Sequence, residues 1–287
     1  TFRGGGVLFP STLLLYGIFF NFNLKFMILG VLLSSIVSFY DDLKGSNAFF
    51  RLICHFISVA FIMEEMPKNP DLSSPYIIIL IAIVAVAAVN AYNFMDGINA
   101  ITGLYTLSIY ETILFYDYKI ENVFSEELLA VMTIAILIFG FYNFRTRAVL
   151  FAGDIGSVSL GLLSVYFVLF LIFKNSSIIY LSMVAVYGVE SGLTIMYRLI
   201  KRQNIFQAHR MHLFQDLVNI KKIPHIKVSI YYTLLQLIIN LGMFISLING
   251  YPGYYYFAYV VILLIGLYII LKYQIHTSLI KAQNEVD

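Results

Sequence analysis

The feature that most constrains this chain is a series of ten apolar runs separated by short polar stretches. Each run has roughly 15 to 21 residues, about the length that a helix needs to cross the hydrocarbon core of a bilayer. Only 12% of the residues are charged, whereas a soluble domain carries roughly 25%. The sequence therefore predicts an all-α, polytopic integral membrane helix bundle with about ten transmembrane helices, and we treat residues 1–287 as a single membrane domain.

The positive charges assign the polar stretches to two sides of the membrane. One set of stretches, which alternates along the chain with the other, holds 14 of the 18 Lys and Arg residues. The positive-inside rule places this set in the cytoplasm. Both ends of the sequence are then expected on the cytoplasmic side as well.

Four polar motifs fall on this same side. They are Tyr40–Gly45, Asn90–Asn99, Phe151–Ser157 and His209–His212. The stretches on the opposite side, such as Lys68–Asp71, have the composition of ordinary solvated connectors. Because chance would scatter four such motifs over both sides, the sequence predicts one shared site on the cytoplasmic side.

The third motif places a carboxylate between two glycines at a membrane boundary. Gly153 and Gly156 allow the backbone to approach a ligand closely, and Ser157 is the predicted N-cap of the helix that follows. A helix start also offers free N–H groups and a positive dipole to an anion. We therefore predict that Asp154 holds a hard cation beside a bound phosphate. The competing interpretation is a polar turn with a capping serine.

Adjacent carboxylates at the end of the second run suit the same chemistry. Asp41 and Asp42 repel each other unless a cation, a proton or Lys44 lies nearby. Mg²⁺ takes few protein carboxylates and keeps water and phosphate oxygens as its other ligands, and phosphoryl transfer depends mostly on positioning and charge stabilisation. Carboxylates from two separate loops, together with Lys and Arg, thus favour a Mg²⁺-assisted reaction at a diphosphate, although an Asp-Asp pair at a helix end is more often a solvated turn.

The remaining motifs also have plainer interpretations. The Asn93–Gly97 segment has the composition of an ordinary Asn, Asp and Gly turn. His209 and His212 have the spacing of a zinc pair, but the sequence around them supplies no matching Cys or Glu ligand. The basic stretch Arg198–Arg210 is also typical of contact with lipid head groups. Residue chemistry alone leaves these alternatives open.

Taken in order, the motifs resemble those of the bacterial polyprenyl-phosphate N-acetylhexosamine-1-phosphate transferases. This is the glycosyltransferase family 4 type, which also contains the phospho-N-acetylmuramoyl-pentapeptide transferase. The resemblance extends over nearly the whole chain, and the matching segments are Arg3–Gly6, Asp41–Lys44, Asn90–Asn99, Phe151–Ser157 and Arg210–His212. The family would have one further helix before Thr1, so we expect residues upstream of Thr1 to be missing from this sequence.

The resemblance implies a reaction and a set of substrates. The phosphate of undecaprenyl phosphate attacks the β-phosphorus of a UDP-activated N-acetylhexosamine, UMP leaves, and the resulting lipid-diphospho-sugar initiates a cell-surface glycan. The implied cofactor is Mg²⁺, for which Mn²⁺ can substitute, and the site faces the cytoplasm from the bacterial inner membrane. A homodimer is compatible with the family, and no nucleic acid partner is expected.

The resemblance also implies roles for individual residues. Asp154 is the implied Mg²⁺ ligand, and Asn93 is either a second ligand or a group that holds the ligands from behind. Asp41 and Asp42 would position or deprotonate the lipid phosphate, and Phe151 would face the uracil. The implied substrate-binding residues are Arg3, Lys44, Asn93, Asp96, Asn99, Asn143, Phe151, Gly153, Arg210 and His212.

Two departures from the family pattern narrow these expectations. Asn99 stands where the family has a second Asp, and Ala100 follows it in place of Gly, which leaves a hydrogen bond to the nucleotide rather than a carboxylate role. The last motif resembles the A-H-R-x-H variant of O-antigen and capsule-initiating enzymes more than the consecutive histidines of the pentapeptide transferases. Arg210 and His212 would then meet the diphosphate or the sugar.

Two other functions remain open at the level of sequence. An ion-coupled secondary transporter also carries carboxylates within its membrane helices. Here Asp41, Asp96 and Asp154 are predicted at helix ends on one side of the membrane, which disfavours that function. A catalytically inactive homologue would have no need to retain these carboxylates.

Overall fold

The computed structural model describes residues 2–45, 47–204 and 210–284, and the side chains of all of these except 2–3 and 279–284. The helices within these ranges are Leu8–Phe19 (α1), Lys25–Lys44 (α2), Ala48–Met63 (α3), Pro75–Met95 (α4), Ile101–Lys119 (α5), Glu126–Asn143 (α6), Gly153–Asn175 (α7), Ala185–Ile200 (α8), Leu213–Asn219 (α9), His225–Ile248 (α10) and Gly253–Asn284 (α11). Short 3-10 turns cover Gly5–Val7, Pro70–Leu72 and Ile178–Val184, and two short strands, Phe2–Arg3 (β1) and Leu150–Phe151 (β2), pair in parallel.

These helices confirm the prediction of an all-α, polytopic membrane bundle. Within the described residues, the segments long and apolar enough to cross a bilayer are α2, α4, α6, α7, Ile178–Ile200, α10 and the Gly253–Ser278 part of α11. The other three apolar runs also form helices, but α1 and α3 are shorter and α5 contains Glu111 and Asp117. Most of α5 is buried inside the bundle, although Glu111 is exposed and Asp117 is half-buried.

The central helix of the bundle is α7, which is buried along almost its whole length. Its small residues allow the neighbouring helices to approach closely, as is usual where helices pack inside a membrane. Ser159 Oγ lies 2.7 Å from Ser35 Oγ of α2, and Ser164 Oγ lies 2.8 Å from the Tyr92 hydroxyl of α4. This packing brings the ends of α2 and α4 to the start of α7.

The glycine-rich segment near the beginning of the chain packs on the start of α7. β1 pairs with β2 so that Arg3 is opposite Phe151, and Gly6 N donates a hydrogen bond of 3.1 Å to Ala152 O. A Cβ atom at Gly6 would lie 2.2 Å from the Cα atom of Gly156. Only glycine fits at this crossing of two backbones.

The predicted N-cap of α7 is wrong. The helix begins at Gly153, before Ser157 is reached. Ser157 lies inside the helix, and its Oγ donates to Gly153 O at 3.2 Å. The helix starts earlier because a side chain from another helix satisfies its first free N–H groups, and the residues around Ser157 do not reveal that partner.

Candidate active site

Residues from all four motifs lie at one end of the bundle, where α2 and α4 end and α7 begins. We call this end the motif face and define it by Asp42, Asp96 and Asp154. Asp42 of the first motif contacts the backbone of Asp154 in the third. Phe94 of the second motif lies beside His212 of the fourth, with 6.4 Å between the ring centres. Tertiary packing therefore joins motifs that are far apart in the chain.

Two of the predicted carboxylates share one arginine. Arg51, in the first turn of α3, donates hydrogen bonds from Nη1 to Asp41 Oδ2 and, at 2.9 Å, to Asp154 Oδ2. The side chains of Arg51, Asp41 and Asp154 are 30%, 14% and 32% exposed, so water only partly screens these ion pairs. We call Asp41, Asp42, Arg51 and Asp154 the acid–arginine cluster. Its guanidinium group draws two distant carboxylates to one point.

Arg51 is a site residue that its sequence context does not single out, because it resembles the positive charges expected at any membrane boundary. One signal is nevertheless present, since Arg51 stands within an apolar run. A charged residue inside a membrane helix usually faces a partner in the bundle interior. That rule points to a carboxylate partner, although it does not say which one.

Asp42 caps the start of α7 from outside that helix. Its Oδ1 accepts a hydrogen bond from Asp154 N and its Oδ2 accepts one from Ile155 N, both at 3.2 Å. A carboxylate at this position satisfies free N–H groups and is favoured by the helix dipole. Gly153 has a φ of +69°, and a Cβ atom there would lie 2.7 Å from Asp42 Oδ2. Asp42 thus orients Asp154, while its catalytic role stays a prediction.

Asn93 approaches the start of α7 from the end of α4. Its Nδ2 donates to Ser157 Oγ at 3.2 Å, and its side chain also lies within hydrogen-bonding reach of the Asp154 carboxylate. The amide N–H group therefore faces the carboxylate as a hydrogen-bond donor, and the amide oxygen is the hard donor atom that this side chain could offer to a cation. Asn93 thus lies beside Asp154, and its role as a second metal ligand stays a prediction.

Asp96 adds a further carboxyl group to the motif face. Its Oδ1 accepts a hydrogen bond of 2.6 Å from Thr102 Oγ1. Burial raises the pKa of Asp96 to about 7, and the hydrogen bond from Thr102 opposes this shift. The negative charges of Asp154 and Asp42 raise the pKa further. Near neutral pH this group is therefore partly protonated, chiefly because it is removed from water and to a smaller degree because negative charge is crowded around the start of α7.

Two predicted binding residues lie open on the motif face. Lys44 is exposed at the end of α2, with its Nζ 5.7 Å from the centre of the Tyr40 ring. Phe151 is 37% exposed in β2. Both side chains are accessible to a substrate. The side chain of Arg3 and all of His209, the other member of the zinc pair considered above, lie outside the described residues.

Two other predicted binding residues hold the protein's own backbone. Asn143 Oδ1 accepts from Ala100 N and its Nδ2 donates to Leu150 O, both at 2.7 Å. Asn99 Nδ2 donates to Arg145 O at 2.8 Å. Both asparagines are 5% exposed, so they fasten the turn after α4 to the segment that leads into α7. These two side chains fix the backbone next to the site. Their contact with a nucleotide stays a prediction.

The fourth motif leads into α9, a short helix for which the sequence pattern predicted nothing. Arg210 is exposed, whereas His212 is 1% exposed and forms the N-cap of α9. The His212 N–H donates to Gln215 Oε1 at 3.2 Å within a capping box. The His212 ring centre lies 5.7 Å from that of Phe214. In this arrangement the Arg210 side chain is accessible to a substrate, whereas the His212 ring is packed between protein side chains at the motif face.

The donor groups at the start of α7 suit a magnesium ion completed by substrate oxygens. Within the described part of the chain, no group of three or more His, Cys, Asp and Glu side chains is placed to hold a metal ion. Mg²⁺ needs only one or two protein carboxylates, because water and phosphate oxygens fill its other positions. Asp154 and Asn93 supply such oxygens, and Arg51 already places positive charge between Asp154 and Asp41. The chemistry of this donor set therefore fits a hard cation.

An apolar groove of about 280 Å³ runs between α4, α8 and α11. Gly188 and Gly192 line it, and a Cβ atom at either glycine would meet nothing within 4 Å. Ala91 and Tyr92, which also line the groove, directly precede Asn93. The groove therefore ends close to the motif face.

Comparison with known protein families places the motif face within a recognised sequence pattern. Residues 24–172, which are 149 of the 287 residues, match glycosyl transferase family 4. The matched range contains the whole acid–arginine cluster together with Asn93 and Asp96. A comparison with curated proteins found no match.

Proposed function

The chain belongs to glycosyl transferase family 4, and from this premise we propose that it transfers an N-acetylhexosamine 1-phosphate from a UDP-sugar to undecaprenyl phosphate. Family membership indicates a membrane-embedded sugar-phosphate transferase, whereas the sugar, the lipid carrier and the metal are part of the proposal. The observation that supports it most is the acid–arginine cluster. It gathers three carboxylates and an arginine at the start of α7, where the carboxylates could hold a hard cation and where this cation and Arg51 would meet a phosphate group.

In the proposed reaction, a phosphate oxygen of the lipid attacks the β-phosphorus of the UDP-sugar. A bond forms between this oxygen and the phosphorus, and the bond from the phosphorus to the bridging oxygen of UMP breaks. UMP leaves with that oxygen, and the lipid-diphospho-sugar stays in the membrane to initiate a cell-surface glycan. We assign to Asp41 and Asp42 the positioning of the lipid phosphate and the acceptance of any proton on it.

The charges of the cluster suit this reaction. Phosphoryl transfer spreads negative charge over the phosphate oxygens and needs positive groups in fixed positions. Arg51 and Lys44 supply such groups, and Asp42 keeps the start of α7 in place. Mg²⁺ bound at Asp154 and Asn93, or Mn²⁺ in its place, would neutralise charge on the donor diphosphate.

The apolar groove supports a lipid acceptor. A polyprenyl chain lying along α4 and α8 would end close to Asn93, so its phosphate would reach the motif face. We assign this face to the cytoplasmic side of a bacterial inner membrane, because the positive residues concentrate there. Arg210 and His212 favour an enzyme of the O-antigen or capsule-initiating kind, with Arg210 contacting the diphosphate or the sugar.

The test is to incubate membranes containing the protein with undecaprenyl phosphate and a panel of radiolabelled UDP-sugars. We expect label in the lipid extract, an equal amount of UMP, inhibition by EDTA, and recovery with Mg²⁺ or Mn²⁺. Asp154→Asn should lose the transfer. Asp71→Asn, at an exposed carboxylate in the turn before α4, is the matched control and should keep it. Failure of every sugar to label the lipid, or vesicle uptake of an intact solute instead, would overturn the proposal.

A further inference from the structure

We propose that Glu190 of α8 is a positioning residue that holds the start of α9, and with it the Arg210–His212 segment, against the motif face. The catalytic consequence rests on the proposed function, whereas the positioning itself is testable without it. The inference comes from the donors that surround this carboxylate and from what those donors belong to.

Glu190 is a carboxylate in the wall of an otherwise apolar cavity. It is 4% exposed, and the cavity of about 440 Å³ that it borders is lined mostly by Leu, Val, Ile and Tyr side chains of α8, α9, α10 and α11. A carboxylate removed from water is costly unless hydrogen-bond donors surround it. We therefore expect hydrogen-bond donors around the Glu190 carboxylate.

Donors from two other helices meet this carboxylate. The Tyr232 hydroxyl of α10 donates to Glu190 Oε2, and Phe214 N in the first turn of α9 donates to Glu190 Oε1 at 3.2 Å. The Leu213 N–H also interacts with it. A glutamine offers only one terminal oxygen as an acceptor, so a carboxylate suits this set of donors better than an amide.

The same carboxylate lies next to the residue that caps α9. His212 Nδ1 is 3.9 Å from Glu190 Oε1, and the two side chains are 1% and 5% exposed. Glu190 therefore accepts a hydrogen bond from the first turn of α9 and also lies next to the side chain of His212, the N-cap of that helix. One membrane-embedded group thereby determines where this short helix begins.

The start of α9 in turn packs on the motif face. A Cβ atom at Gly97 would lie 2.8 Å from Phe214 Cζ, so Phe214 fills the space beside the turn that follows α4. Lys272 of α11 adds a hydrogen bond of 2.6 Å to Met211 O. The segment that carries Arg210 is thus held from the membrane side by α8 and α11 and from the site side by Phe214.

Amide hydrogen exchange tests the positioning directly and needs no substrate. Glu190→Gln should raise the exchange rate of residues 210–219 about tenfold, the change expected when a charged hydrogen-bond acceptor is lost. Tyr232→Phe, which keeps the carboxylate, should raise it by a smaller factor and carries the test if Glu190→Gln does not fold. Tyr268→Phe is the matched control, because Tyr268 lines the same cavity but bonds to Thr194 at 3.1 Å.

Kinetics in membranes test the consequence for the active site. Glu190→Gln should raise the KM for the UDP-sugar about threefold to tenfold with a smaller change in kcat, because the substitution displaces a binding segment. Combined with His212→Ala, it should add little, since both substitutions act on the same segment. Glu190→Asp, which keeps the charge, should recover part of the affinity.

Three results would overturn this inference. They are unchanged exchange of residues 210–219 in Glu190→Gln, an equal rise in Tyr268→Phe, and fully additive kinetic effects with His212→Ala, which would indicate a general loss of stability. A wild-type protein without transfer activity would instead reject the proposed function, and the exchange measurement would still decide whether Glu190 holds the segment.

Discussion

Two helices at the motif face start in the same way but are supported differently. The carboxylate of Asp42 accepts hydrogen bonds from N–H groups in the first turn of α7, and the carboxylate of Glu190 accepts one from the first turn of α9. In both cases a cap that usually comes from the residue before the helix comes in part from a different membrane helix. Each capped helix carries or follows a predicted site residue, Asp154 in one case and Arg210 in the other.

The difference lies in what else holds each helix. α7 has 23 residues and runs through the core of the bundle, whereas α9 has 7 residues, a length at which a helix is marginal without outside contacts. Asp42 belongs to a partly exposed cluster of charges, whereas Glu190 is buried in an apolar wall. Core packing therefore sets Asp154 in place, and α9 depends on a few polar anchors. We expect substitutions at the start of α7 to affect the chemistry and those near α9 to affect substrate affinity.

The largest effect is expected at Asp154. Asp154→Asn keeps the size of the side chain and removes its charge, so transfer should fall about 10³-fold or more, while the melting temperature in detergent changes little. Initial rates from labelled lipid extracts and thermal unfolding of the purified protein measure the two quantities. Near-normal transfer by this variant in the presence of EDTA would show that the start of α7 is not the reacting centre.

The next effect concerns the space beside Gly153 that the Asp42 carboxylate occupies when it caps α7. Gly153→Ala places a side chain at a positive φ and 2.7 Å from Asp42 Oδ2, and should cost about 1–3 kcal/mol of stability together with much of the activity. Gly45→Ala is the matched control, since Gly45 has a φ of +71° but open space around it. Equal losses of melting temperature and transfer in the two variants would show that only backbone strain matters, and that the cap does not.

A smaller effect is expected at the α9 side of the comparison. Arg210→Ala should raise the apparent KM for the UDP-sugar about tenfold, which corresponds to one charge-assisted hydrogen bond, and should change kcat less. Lys201→Ala, at another exposed basic residue, serves as the control. Unchanged KM and kcat in Arg210→Ala would reduce this segment to contact with lipid.

The smallest effect tests whether the surroundings of Asp96 favour its protonated form. Burial raises the pKa of Asp96 to about 7, whereas an unfolded chain has a value of about 3.9. The folded protein thus binds this proton more tightly, so the contribution of Asp96 to stability falls as the pH rises from about 4 to about 7. Asp96→Asn should flatten the pH dependence of the melting temperature in that window. An unchanged slope would show that the fold does not favour the protonated form of Asp96.

The fold and the location of the site could be predicted from local sequence. A helix that crosses lipid needs only a long apolar run, so the runs become helices wherever they occur, including those of α1, α3 and α5. Polar residues are costly inside the bilayer, so the Asp41, Asp96 and Asp154 motifs mark helix ends. The charge pattern also groups these motifs on one side, and the structure places them at one end of the bundle.

The partners within the site depend on tertiary structure. Arg51 and Asp154 are 103 residues apart, and the sequence around either residue does not predict that the two form an ion pair. For the same reason Ser157 resembles an N-cap although Asp42 caps α7, and Asn143 resembles a ligand although its amide holds the backbone of Ala100 and Leu150. Sequence by itself determined which segments enter the membrane and which carboxylates gather at one end, because those properties depend on neighbouring residues. Only the packed bundle decided which charges pair and which helix starts they cap, because donors and acceptors from different helices come within bonding distance only when the helices pack.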